Sequence, residues 1–383
     1  MSKEVMWFFR CNPRGWSVGR YDEQSGGFGS LKPAEVLRYL RAMYARWSAA
    51  QRHDHILIQK DRSVEVMISS DYVDPANKVP LCRNSKGDLC EASAPHRIVF
   101  ENRDGTYDFV CQGPASDERE FFDRFYDRGS DRPFSIEECR RAWRKEPGFE
   151  LLLESLGDIS GKRILLLGNG ISLKELYFLH LGAGCVYTDI SIEAIRYIKK
   201  VFNVSEFKKH AENIEFHAVD AYHLPFQDNS FDIIYGCAFV HHLGDLDMVF
   251  SEIHRCLKPG GICRFLDHGY SPVWQFLKRT VLRPLQLYTH RKHGISPADV
   301  TATNRGGYKR MEIEHIKNAH AFREMMYVRG AFLEQILQRG TLKLGCRFLR
   351  KLKPLMRGLD NLSEWAFGFI EKNGMVLVWG FTK

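Results

Sequence analysis

Two glycines and a distant acid are the first residues of this 383-residue chain whose spacing suits ligand chemistry. Gly168-Asn169-Gly170 follows the apolar run 164–167, and Asp189 closes the next apolar run, 189 − 168 = 21 positions after the first glycine. Glycine lets a backbone approach a ligand closely, and a carboxylate at that distance can accept two ribose hydroxyl protons. Two histidine sites follow. His241 and His242 come after the apolar run 231–237, and His268 comes after Asp267 at the end of the run 262–267. Histidine titrates near neutrality, so any of the three could remove a proton from an acceptor. Their alternative role is packing against a sheet. Asn304-Arg305-Gly306-Gly307-Tyr308-Lys309-Arg310 is a basic, glycine-rich loop suited to phosphate or carboxylate, which makes Arg305, Tyr308 and Lys309 substrate-binding candidates.

The elements that must carry these residues alternate. Residues 149–156 read as an amphipathic helix and 164–167 as a strand; a helical pattern leads to a strand at 186–189, and a helix spans 192–202. Strands are expected at 214–221, 231–237 and 262–267. The helix after the fourth strand should open at Val240-His241-His242-Leu243 and end at Leu257-Lys258-Pro259-Gly260-Gly261. The fourth strand is apolar without alternation, as buried parallel strands are. This rhythm predicts a doubly wound α/β sheet with ligands at the C-terminal strand ends.

Residues 1–115 read as a separate α+β module. Strands are expected at 5–10, 15–21, 56–58, 64–68, 97–100 and 107–111, a helix at 33–50, and a hairpin turn at Asp104-Gly105. Cys82, Cys90 and Cys111 are too widely spaced for a zinc ribbon, so no metal is expected. The module could dimerise the chain, roof the acceptor pocket or recruit a carrier. Gly113-Pro114-Ala115-Ser116-Asp117 marks the boundary, and the aromatic segment 121–129 follows it as a helix.

The order and spacing of six pieces resemble the class I S-adenosylmethionine-dependent methyltransferases, in particular their small-molecule "type 11" branch. The pieces are Gly168-Asn169-Gly170, Thr188-Asp189-Ile190-Ser191, Asp220-Ala221 with Leu224-Pro225-Phe226, Ser230-Phe231-Asp232-Ile233-Ile234, His241-His242-Leu243, and Leu257-Lys258-Pro259-Gly260-Gly261. The resemblance implies a Rossmann-like, seven-stranded doubly wound sheet over 116–383, with substrate-side helical insertions within 270–372. It implies S-adenosyl-L-methionine as cofactor. Gly168, Asn169 and Gly170 would approach its methionine part, Asp189 and Ile190 its ribose, and Asp220 and Ala221 its adenine. Gly236 and Cys237 would face the sulfonium, and Tyr126 would close over the cofactor. Two positions depart from the family pattern. Leu166 stands where an acid is usual, and Ser172 where a third glycine is usual.

Charge and composition limit the function classes. No apolar run reaches the length of about 18 residues that a spanning helix needs, and the first residues lack a secretory signal's apolar core. Ten cysteines without paired spacing fit a reducing cytoplasm. Net charge is +8, but residues 274–358 hold 18 Lys/Arg against 5 Asp/Glu, so 18 − 5 = +13 there and 8 − 13 = −5 elsewhere. Within that region Trp274, Leu277, Val281, Leu282, Leu285 and Tyr288 share one helical face, and Leu344, Phe348, Leu352, Leu355 and Met356 another. Basic margins beside apolar faces suit a greasy anionic acceptor or a membrane surface; the same pattern describes core helices with solvated edges. The expectation is a cytoplasmic methyltransferase acting on a small molecule, anionic or lipid-like, in specialised metabolism or glycolipid assembly. The alternatives are an RNA methyltransferase, favoured only by charge, and a cofactor-binding pseudoenzyme or interaction protein, motivated by Leu166 and Ser172.

Overall fold

A computed structural model describes residues 5–12, 15–22, 27–29, 55–60, 63–91, 94–110, 115–126, 134–145, 148–277, 280, 308–333, 352–367, 370 and 374–383. The expected helix 33–50, Cys111, Arg305 and most of the helical stripes at 281–288 and 344–348 lie outside these residues. The chain divides into two compact units, 1–109 with 225–227, and 110–224 with 228–383.

The first unit is an eight-stranded antiparallel sheet: β1 Val5–Asn12, β2 Gly15–Asp22, β3 Gly27–Gly29, β4 His55–Lys60, β5 Ser63–Val73, β6 Pro80–Arg83, β7 Leu89–Glu91 and β8 Ala94–Phe100. Its order is β3-β2-β1-β4-β5-β6-β7-β8. Asp104 and Gly105 both have positive φ (55° and 74°), and Arg103 and Thr106 exchange two backbone hydrogen bonds. That is the tight turn the Asp-Gly pair demands. The residues after it do not form the expected strand. Tyr107 and Phe109 turn inward instead, with ring centroids 5.5 and 5.2 Å from that of Tyr72. Residues 225–227 join this unit: Phe226 bridges to Tyr72 and Gln227 donates to the Ser70 carbonyl. Cys82 and Cys90 face each other across β6 and β7, neither in a disulfide, and no metal-holding group of His, Cys, Asp or Glu occurs among the described residues.

The second unit begins with α1 Ala115–Tyr126, α2 Ile136–Lys145 and α3 Phe149–Ser155. It continues through β9 Arg163–Leu166, α4 Tyr177–His180, β10 Gly184–Asp189, α5 Ile192–Val204, β11 Ile214–Ala218, β12 Phe231–Cys237, α6 Leu246–Cys256 and β13 Leu257–His268. It ends with α7 Pro272–Leu277, α8 Arg310–Ala319, β14 Glu324–Gly330, α9 Lys353–Phe367 and β15 Val376–Thr382. The seven strands order as β11-β10-β9-β12-β13-β15-β14. β9 through β13 run parallel, and β15 pairs antiparallel with both β13 and β14. This is the doubly wound α/β sheet that the strand–helix rhythm predicts. Strand order reverses between β9 and β12, the switch point where such sheets bind ligands.

Local sequence explains most element ends. Ser191 caps α5 by accepting from the Ala194 N–H, and Asp245 caps α6 by accepting from the Met248 N–H. Two expectations shift. His241 and His242 lie in a separate 3-10 turn, Val240–His242, because Gly244 and the Asp245 cap postpone the helix to Leu246. Gly260 and Gly261 do not cap that helix. Leu257 pairs with Phe231 and the next pair is Ile262 with Ile233, so the glycines loop out of the strand at φ +76° for Gly260.

The antiparallel end of the sheet is packed by aromatic rings. Trp379, fully buried on β15, lies 5.5 Å from Phe250, 5.2 Å from Phe265 and 5.6 Å from Tyr308. Its indole nitrogen has no hydrogen-bond partner. Trp379→Ala is therefore expected to lower the unfolding free energy by about 3–5 kcal/mol in urea denaturation, and Trp379→Phe to cost less, because it keeps a ring and removes an unpaired donor.

Candidate functional site

The glycine turn leaving β9 is shaped by its neighbours. Gly168 has φ +63°, and a Cβ there would fall about 2.0 Å from the Phe239 ring. Gly170, at φ +54°, donates its N–H to Asp189 Oδ2 at 2.7 Å. The other Asp189 oxygen accepts from the Ser191 N–H at 3.0 Å. The carboxyl is buried, and burial raises it to about pH 6 even though these amides favour the charged form. Ser191 continues the chain of contacts. Its hydroxyl bonds Asp123 Oδ1 at 2.5 Å, and Asp123 also accepts from the Glu193 N–H. α1 is thereby pinned to the N-terminus of α5.

A cleft of about 80 Å³ opens here. β10 and its following residues supply Asp189 and Ile190; the chain after β11 supplies Val219, Asp220, Ala221 and Tyr222; the turn after β9 supplies Leu167 and Gly168. α1 contributes Glu118 and Phe122, and the segment after β12 contributes Ala238, Phe239, His242 and Leu243. Three carboxylates thus share one cleft. Burial, then Asp220 and Asp189, push the Glu118 carboxyl above the usual carboxylate range.

Of the cofactor residues expected from the sequence, Gly168, Asp189, Ile190, Asp220 and Ala221 line this cleft, and Asn169, Gly170, Gly236 and Cys237 do not. β12 runs through Cys237 before the chain turns at Ala238, which has φ +54°, so Ala238 and Phe239 form the wall instead. Phe239 and Phe265 crowd Gly236, 3.2 and 3.0 Å from where a Cβ would stand. Burial raises the half-buried Cys237 thiol to about 11, which keeps it protonated at neutral pH. Tyr126 ends α1, but its side chain lies outside the described residues; Glu118 and Phe122 are what α1 brings to the cleft. Sequence reasoning missed Glu118, Phe122, Tyr222 and Phe239. Helical spacing ties Glu118 to Phe122, but nothing in it says which face of α1 meets a ligand.

Leu166 is fully buried and pairs in register with Tyr187 and Tyr235. A carboxylate comes instead from the 3-10 turn Lys174–Leu176: buried Glu175 accepts from the Tyr235 hydroxyl at 2.9 Å and pairs with Lys174 at 2.6 Å. Lys174 also donates to the Ser172 hydroxyl at 2.9 Å. The buried Asn169 side chain has no partner for either amide atom. Such orphaned polar atoms beside a glycine turn fit a zwitterionic amino-acid moiety, as the acids of the cleft fit ribose hydroxyls and an adenine amine.

The three candidate histidines come together. His241 and His242 have ring centroids 4.1 Å apart, and His241 and His268 5.3 Å. His241 Nδ1 lies 2.6 Å from Asp267 Oδ1, which also accepts from the His268 N–H. Asp267 and His241 are both buried, and His268 is exposed. Burial, then the neighbouring His241, lower His242 to about 4, so that ring is neutral at physiological pH. The basic-loop expectation changes at Tyr308. It is fully buried and donates its hydroxyl to the Val240 carbonyl at 2.7 Å, bracing the His241–His242 turn from behind. Lys309 is exposed, with its ammonium 4.9 Å over the Tyr270 ring.

A family profile described as "Methyltransferase domain" matches residues 165–265. A demethylmenaquinone methyltransferase of Streptomyces avermitilis is 28% identical over 38% of this chain and 58% of its own length. A fatty-acid O-methyltransferase of Mycolicibacterium smegmatis is 28% identical over 35% of this chain and 47% of its own. The chain thus spans about half the length of these curated relatives. Among solved structures, phosphoethanolamine N-methyltransferase 2 of Haemonchus contortus with S-adenosyl-L-methionine is 17% identical, with TM-score 0.41 over 68% of this chain and 59% of that one. The matched segment runs from β9 to β13 and carries the glycine turn, the acids and the histidine pair. Residues 165–265 thus form a methyltransferase domain of the class I type, the type that takes S-adenosylmethionine as cofactor.

Proposed function

We propose that this protein transfers a methyl group from S-adenosylmethionine to a small, lipid-like acceptor, with His241 as the proton-accepting base. The observation that carries this reading is the buried His241–Asp267 pair beside a cleft whose wall includes His242. Bound in the cleft, the cofactor supplies an electrophilic methyl on a sulfonium. The residues of this chain do the rest. Asp189 accepts the ribose hydroxyls, Asp220 and Ala221 meet the adenine, and Gly168 and Asn169 receive the methionine end. Glu118, Asp189 and Asp220 also place negative charge around a cationic ligand.

Asp267 holds the His241 proton on Nδ1, which leaves the Nε2 lone pair free to accept a proton from an acceptor hydroxyl. Neutral His242 and Phe122, whose rings meet edge-on at 5.7 Å, form an apolar side of the cleft. The lipid-like class draws on the relatives named for menaquinone and fatty-acid substrates.

Calorimetric titration with S-adenosylmethionine and S-adenosylhomocysteine, followed by a mass-spectrometric screen of quinols, fatty acids and phosphorylated alcohols, tests the proposal. No binding of either ligand would sink it. Two further outcomes are expected. Asp189 must be ionised to accept ribose hydroxyls, so wild-type affinity should fall as pH drops through about 6. Asp189→Asn should bind about tenfold more weakly and show no such fall. Asp267→Asn should lower kcat by about 100-fold on the acceptor found while leaving cofactor affinity unchanged, and His241→Ala combined with it should add little.

A further inference from the structure

We propose that the outward face of α9 docks on an anionic lipid bilayer. Leu355, Leu359 and Leu362, at helical spacing, are 57%, 39% and 56% exposed, and Trp365 one turn on is 85% exposed. The opposite face is fixed inward. Asp360, buried on α9, accepts the N–H groups of Phe332 at 3.0 Å and Leu333 at 2.8 Å. Those two carboxylate bonds set the rotation of the helix and leave its leucine ridge facing solvent.

The charge that adjoins the ridge in the sequence selects the partner. From Arg339 to Arg357 the chain carries seven Lys/Arg and no Asp/Glu. A greasy ridge ending in tryptophan and continuous in sequence with a purely basic run matches an anionic interface, where leucines enter the acyl boundary, an indole sits at headgroup level and cations meet lipid phosphates. The position in the fold agrees. β13 ends at His268, and the next residue, Gly269, donates to the Met375 carbonyl. Met375 packs with Phe332 and Ile370 in the small cluster at the inner side of α9, against Val273 and Trp274 of α7. Phe276 on α7 is itself 66% exposed. The docking face therefore belongs to the same end of the sheet as the histidine cluster. That a lipid-like acceptor is taken from the bilayer rests on the proposed function; the docking itself does not.

The test is co-sedimentation of the full chain with vesicles of phosphatidylcholine alone or mixed with phosphatidylglycerol. Binding to the mixed vesicles is expected, weakening as salt rises. Leu359→Glu with Leu362→Glu should cut partitioning roughly tenfold or more. Brominated lipid should quench wild-type tryptophan fluorescence, and Trp365→Phe should lose most of that quenching while still sedimenting. Circular dichroism of the same preparations reports the fold of each variant, and S-adenosylmethionine titration reports the cofactor site separately. Three results would overturn the inference: no sedimentation with mixed vesicles, sedimentation unchanged by the glutamates, or a wild-type dimer that the glutamates dissociate, which would make the ridge a self-association surface.

Discussion

The buried carboxylate of Asp189 is the contact on which the site depends. Its two oxygens take the N–H groups of Gly170 and Ser191, so one side chain fixes the turn after β9, the end of β10 and the start of α5. Ser191 passes the constraint to Asp123 and so to α1, whose Glu118 and Phe122 complete the cleft. A buried charge is costly unless hydrogen-bonded, and the backbone amides answer that cost with dipoles the fold has already oriented. The arrangement needs glycine at 168 and 170, where the backbone has positive φ and a side chain at 168 would collide with Phe239.

The two sides of the site differ in charge chemistry. The cleft side gathers carboxylates, which suit a cationic ligand. The histidine side couples one ring to a carboxylate and buries another until it is neutral. Both sides sit at C-terminal strand ends because parallel strands deliver all their outgoing loops to one edge of the sheet, and the order reverses there between β9 and β12. Tyr308 shows how sequence neighbourhood misleads. It reads as part of a basic binding loop, yet its ring is a core element and its hydroxyl supports the Val240 carbonyl.

The antiparallel strands β14 and β15 add a dense aromatic block around Trp379 and Phe250. Beyond it, Asp360 repeats the device used by Asp189: a buried carboxylate satisfied by two backbone N–H groups orients a whole element. At Asp189 the device shapes a ligand cleft, and at Asp360 it turns an apolar ridge outward.

The sequence by itself determined the doubly wound sheet, the glycine turn, the acids at the ends of β10 and β11, and the candidacy of His241, His242 and His268. Each rests on local rules: apolar runs of strand length, helix periodicity, glycine where φ is positive, and acids at fixed distances along the chain. The sequence also showed the Asp104-Gly105 turn, because those residue types suit positive φ. Only the tertiary structure decided which of these residues meet. It paired His241 with Asp267 across 26 positions, brought Glu118 opposite Asp189, replaced Gly236 and Cys237 by Ala238 and Phe239 on the cleft wall, and sent Phe226 to the first unit's sheet. These are contacts between residues far apart in sequence. They depend on strand order, on where a strand stops and on which face of α1 or α9 is buried, and a linear pattern carries none of that information.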